Sequence, residues 1–217
     1  MAVYTGNITL KNYKSTGEWV RSKGNAQLIL RPKQEVLIDS CEFGMKGYNC
    51  IEIGLAAGYA PKKVTVKNCH FTGELSNNAI LLFRHQPNAV INIEDCVFDN
   101  VSNPLRFSNA DNVTGCVVNI KNCKVKKWES NPQYAGFVLF QDYTSATAAA
   151  AVENNLFAPN KFTVNFINCE GPNGPITSLD NVIQSNSADQ VAYVYYDKGG
   201  LIQYNAEQFP TFTCVYA

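Results

Sequence analysis

The sequence predicts an all-β protein: a single-stranded parallel β-helix of about six turns with a repeat of about 27 residues, followed by an extended aromatic C-terminal segment. Three observations point to it. The segments ITLKNY, VLIDSC, VTVKNC, INIEDC, VNIKNC and VNFINC end at Tyr13, Cys41, Cys69, Cys96, Cys123 and Cys169, at intervals of 28, 28, 27, 27 and 46 residues. A companion element recurs inside the repeat, NAQLILR at residues 25 to 31 and NAILLFR at residues 78 to 84. Each motif alternates β-branched or apolar residues with polar ones and carries Asn, Asp or Ser just before its last residue, which reads as strand, tight corner, strand, with no room for a helix.

Taken in order, NITLKNYKSTGE opens the repeat and matches KVTVKNCHFTGE two turns later over almost its full length. The corner position is held by Asn12, Ser40, Asn68, Asp95, Asn122 and Asn168. Asn and Asp tolerate the left-handed backbone region that such a corner needs, and this accounts for much of an unusual total of 25 Asn. A turn made of short strands cannot close a core alone, whereas coiling each turn onto the last buries a continuous interior. One residue before the first five of these corners stand Lys11, Asp39, Lys67, Glu94 and Lys121. Alternating sign between neighbours about 4.8 Å apart is worth a few tenths of a kcal/mol per pair and fixes the register as an inter-turn charge ladder.

The repeat organises residues 1–188 as the β-helix. After Cys123 it is lengthened by 19 residues, and this insertion, about 128–160, is expected to project from the prism, with a strand near AGFVLFQ and a short helix at SATAAAAVENN. Residues 189–217 lose the motif and become rich in Tyr and Phe, a composition suited to capping the open end of the solenoid or to docking on a second copy through Phe209, Phe212 and Tyr216.

With these motifs in place, the chain resembles the right-handed parallel β-helices of the pectin-lyase-like group, which include polysaccharide lyases and hydrolases and many bacteriophage tail and virion proteins. The resemblance spans roughly residues 7 to 185 and concerns architecture. It implies a right-handed coil, and it raises two kinds of function: polysaccharide cleavage and virion structure.

The cysteines decide between chemistry and packing. Cys41, Cys69, Cys96, Cys123 and Cys169 occupy one inward slot per turn, filled by Tyr13 in the first, and form a structural thiol column beside Phe43, Phe71 and Phe98. There is no C-x-x-C pair and the chain has two histidines, His70 and His85, so neither zinc nor a disulfide framework is expected. Reduced thiols point to assembly in a reducing cytoplasm. No metal and no other cofactor is expected.

Cleavage of a polysaccharide needs an acid/base set held together on one outer face. The hydrolase pattern of N-x-D, D-D, G-H-G and R-x-K is absent, and the best set available is Glu94, Asp95 and Asp99 with His70, Arg84 and Arg106. Glu94 already serves the charge ladder and Asp95 a corner, so catalysis is not the expected function. With 18 Lys+Arg against 18 Asp+Glu, no basic field gathers phosphates, and no nucleic-acid partner is expected. The sequence also shows no apolar run of membrane-spanning length and no signal-peptide pattern, so neither a membrane nor secretion by that route is expected.

The expected function is therefore that of a structural, non-enzymatic component of a tailed-bacteriophage virion, in a capsid decoration, head fibre or tail. It would assemble in the host bacterial cytoplasm with other virion proteins, as a homo-oligomer with a trimer favoured. The alternative is a glycan-binding module or adhesin, with Trp128, Tyr134 and Tyr143 as candidate contacts to a surface glycan. A polysaccharide lyase or hydrolase ranks third.

Overall fold

The structure, a computed structural model, describes residues 2–15, 26–45, 49–55, 58–107, 116–128, 137–141, 161–172, 174–175, 184–186, 191–194 and 211–216. The chain forms a right-handed parallel β-solenoid, all-β, with no helix among the described residues. The expected short helix at SATAAAAVENN lies outside them.

Three stacks of parallel strands run along the solenoid. The motif strands make the first: Ala2–Lys11, Ala26–Asp39, Lys63–Lys67, Val90–Glu94, Val117–Lys121, Lys161–Ile167 and Thr211–Tyr216 pair in that order. Past the corner, Lys14–Ser15, Glu42–Met45, His70–Leu82, Val97–Phe107, Lys124–Trp128 and Glu170–Gly171 make the second. The companion element makes the third, with Leu28, Ile51, Ile80, Leu105 and Val138 in register.

All six corner residues have positive φ: Asn12 53°, Ser40 56°, Asn68 54°, Asp95 52°, Asn122 51° and Asn168 51°. The first five corner amides each donate to a carbonyl of the next turn, as in Asn68 N to Glu94 O at 3.0 Å, so the strained residue still serves the ladder. About four turns are formed, against an expectation of about six. Six motifs mark six corners, but six corners bound five intervals. Four of these are regular, at 27 or 28 residues, and the fifth is the 46-residue interval.

The inward positions make one continuous core. Ile38, Val66, Ile93 and Ile120 stack in register and none is exposed. Phe43, Phe71 and Phe98 stack nearly face to face at 4.9 and 5.2 Å, with interplanar angles of 13° and 8°. The next rung carries the smaller Val125 opposite Phe98. Phe137 fills the gap, meeting Phe98 edge-on at 5.8 Å and Phe166 at 5.4 Å. So although the insertion was expected to project, part of it enters the solenoid: Phe137 and Val138 are completely buried and Val138–Gln141 lies parallel on Leu105–Phe107. Thr211–Tyr216 continues the first stack on Lys161–Ile167 of its own chain.

Gly54 ends a companion strand at φ 74°, and a Cβ there would stand 2.8 Å from the Tyr59 carbonyl oxygen and 2.9 Å from that of Arg84. Both obstacles are backbone. Gly54→Ala is therefore expected to cost about 2 to 3 kcal/mol, measured as a shift in urea midpoint at unchanged slope.

Candidate functional site

The polar columns that the stacking creates are the places where chemistry could occur. In the predicted charge ladder, Lys11, Asp39, Lys67, Glu94 and Lys121 are consecutive register partners. Lys67 Nζ stands 3.6 Å from Asp39 Oδ2. Asn68 Nδ2 donates to Asp39 Oδ1 at 3.0 Å, and that bond, helped by Ser40 and Lys67, holds the Asp39 carboxyl below its ordinary value.

A second column went unnoticed in the sequence. One residue past the inward slot, Lys14 meets Glu42 and Lys124 meets Glu170, each at 2.5 Å. The hydrogen bond from Lys14 lowers the Glu42 carboxyl. The same period that revealed the first ladder contains this one. His70 and Val97 interrupt its charge alternation and hide it.

Asn side chains form further ladders. Asn119 Nδ2 donates to Asn92 Oδ1 at 2.9 Å and Asn165 Nδ2 to Asn119 Oδ1 at 2.6 Å. At the corners Asn122 Nδ2 reaches Asp95 Oδ1 at 2.9 Å.

The acid/base set considered for cleavage does not converge. Glu94 sits in the first strand stack between Lys67 and Lys121, and Asp95 forms a corner. Asp99 lies 3.9 Å from Lys126 Nζ, and His70 contacts Thr72. Arg84 and Arg106 belong to the third stack, where Arg84 Nη1 donates to the Gly54 and Leu55 carbonyls at 3.1 and 2.6 Å and Arg106 is buried in register with Leu81.

That third stack is buried on both faces. Leu28, Leu30, Ile51, Ile53, Ile80 and Leu82 belong to the core, while Ile29, Glu52, Leu81 and Arg106, which alternate with them, are buried as well. Asn78 Nδ2 donates to Asn49 Oδ1 at 2.7 Å, and Asn49 Nδ2 to Glu52 Oε1 at 2.8 Å. Nothing in the motif search pointed to Glu52. The visible signal was the unbroken apolar run of LILR and AILLF, the mark of a strand covered on both sides.

Burial pushes the Glu52 carboxyl up, against the Asn49 hydrogen bond. A raised folded-state pKa means that the stabilising effect of the proton is complete below the ordinary value of 4.5 and disappears as pH rises through the folded value. Glu52→Gln keeps the acceptor for Asn49 and removes the desolvated charge. The expected gain is on the order of 1 kcal/mol at pH 8 and nothing at pH 4, read from melting curves at the two pH values.

The column cysteines Cys41, Cys69, Cys96, Cys123 and Cys169 are all at most 3% exposed, and they, Cys50 and Cys116 are free. Each column sulfur lies within hydrogen-bond reach of the carbonyl two residues before it, from 3.0 Å for Cys69 to 3.4 Å for Cys169. Burial pushes up the thiols of Cys41, Cys50, Cys116 and Cys169, the last to about 11. Within the column a hydrogen bond with Cys96 lowers Cys69, and bonds with Cys123 and Cys69 raise Cys96. Alkylation of the native protein at pH 8 is accordingly expected to be at least about a hundredfold slower than in denaturant, where all eight thiols react without a reductant.

Of the candidate contact residues, Trp128 ends the strand Lys124–Trp128, and Phe212 and Tyr216 lie in register with Phe162 and Phe166. Tyr134, Tyr143 and Phe209 lie outside the described residues. No helix among the described residues is long and apolar enough to cross a membrane. Comparison with family models, curated proteins and solved structures finds no match for this chain.

Proposed function

We propose that the protein is a structural, non-enzymatic β-solenoid that assembles as a homotrimer with other proteins in the virion of a tailed bacteriophage. The observation that supports this reading is how the outward polar side chains are used. Asp39, Glu42, Asp95 and Glu170 are each engaged by a side chain of an adjacent turn. Carboxylates committed to holding turns together are poorly placed to exchange protons with a substrate, and that is the expected state of a rod selected for rigidity. The virion setting comes from the resemblance to pectin-lyase-like β-helices and from the reduced state of the cysteines.

Light scattering tests the assembly. A mass three times the 24.0 kDa of one chain is expected, and a monomer across the micromolar range overturns the trimer. Peptide mass spectrometry of purified particles of the phage that encodes the chain tests the setting, and absence from the particles overturns it.

A further inference from the structure

An inward slot beside a corner needs a small apolar side chain, and several residue types would serve. Here it holds a thiol at five successive corners. The amides of His70, Val97, Lys124 and Glu170 donate to the carbonyls of Cys41, Cys69, Cys96 and Cys123, each at 2.9 Å, which sets consecutive cysteines one rung apart. One rung is about 4.8 Å, and two metal–thiolate bonds of about 2.3 Å placed end to end span nearly that distance. Each column sulfur also points back at the preceding turn, lying 3.3 to 3.9 Å from the carbonyl of Leu10, Ile38, Val66, Ile93 or Ile120.

We propose that Cys41, Cys69, Cys96, Cys123 and Cys169 form a binding column for soft, two-coordinate monovalent metal ions, Cu(I) or Ag(I), each ion lying between the sulfurs of consecutive turns. Binding replaces a proton. One S–H bond breaks, its proton leaves to solvent and a metal–sulfur bond forms, while the neighbouring thiol coordinates through a lone pair. No electron is transferred, and the net charge of the core stays zero.

Two features make the exchange compatible with the fold. The carbonyls two residues before the column cysteines, those of Asp39, Lys67, Glu94, Lys121 and Ile167, also accept the amides of Asn12, Ser40, Asn68, Asp95 and Asn122 at 2.8 to 3.1 Å, so losing an S–H leaves none of these five unpaired. Among the described residues no three His, Cys, Asp or Glu side chains converge. Zinc and calcium, which need four or more ligands, are thereby disfavoured, and sulfur ligands in a file suit a soft linear ion.

The test is anaerobic titration of the full-length reduced protein with Cu(I) supplied as its acetonitrile complex, followed by native mass spectrometry under bicinchoninate competition. Four retained ions per chain are expected, with the β-sheet circular dichroism unchanged and the melting temperature raised. Cys116→Ser, outside the column, is expected to keep all four, Cys41→Ala three, and Cys96→Ser two. X-ray absorption on the wild-type complex, which depends on no variant, is expected to show two sulfurs about 2.3 Å from copper. The proposal is overturned if no ion survives the chelator, if binding abolishes the β-sheet signal, if Cys96→Ser folds and binds as many ions as wild type, or if copper has oxygen or nitrogen neighbours.

Discussion

Val66→Asp is expected to destabilise the protein by about 4 kcal/mol or more and to send most of it to the insoluble fraction at neutral pH. Val66 is completely buried, stacked between Ile38 and Ile93 in the middle of the first strand stack. The carboxylate would find no partner there, because its register neighbours on both sides are hydrocarbon. Burial raises the pKa of such a group, so its proton is held more tightly in the folded state. The deficit should therefore shrink as pH falls through the raised folded value and be smallest below about 4, where the unfolded chain is protonated as well. Thr65→Asp, one residue earlier on the partly exposed outer side of the same strand, is the control. It is expected to remain soluble, and a reversed outcome of the two variants would mean that the inward and outward faces have been exchanged.

Phe71→Ala carries the second large effect, about 3 to 5 kcal/mol. Its ring lies between Phe43 and Phe98 at 4.9 and 5.2 Å, so truncation removes two stacked contacts and opens a void in a closed prism. The turns above and below are pinned by backbone ladders, which limits how far they can collapse into the gap. Phe71→Leu should recover more than half of the loss, which urea unfolding at constant slope can read. Loss of less than 1 kcal/mol in the alanine variant would mean that the column is not continuous through this turn.

What the sequence made legible was whatever repeats in a single strand. The corner residues could be named because the left-handed backbone conformation restricts the residue type, and all six have positive φ. Lys11, Asp39, Lys67, Glu94 and Lys121 could be aligned because strands have a fixed period. What escaped was set by the partner turn. Phe137 belongs to an insertion with no motif, and only the small side chain of Val125 on the neighbouring rung explains why an aromatic ring enters there. Glu52 is polar and lies in an ordinary strand, and its burial depends on cover over the outer face of the third stack. The turn count differed because motifs mark corners, whereas a turn is the circuit between two of them.

The separation between stacked residues bears on how the chain folds. In the regular turns, side-chain bonds such as Asn100 to Gly73, Asn68 to Asp39 and Cys69 to Ile38 join residues 27, 29 and 31 positions apart. No contact between turns is local, and none between adjacent regular turns is much more distant than the rest. The first closure must fix a loop of nearly thirty residues before any stacking repays it, and each later turn faces almost the same loop entropy on an existing template. Folding should therefore begin slowly and then propagate turn by turn in either direction, with a lag set by nucleation. The 46-residue interval before Cys169 is the one step where the growing end has to wait for a longer loop to close.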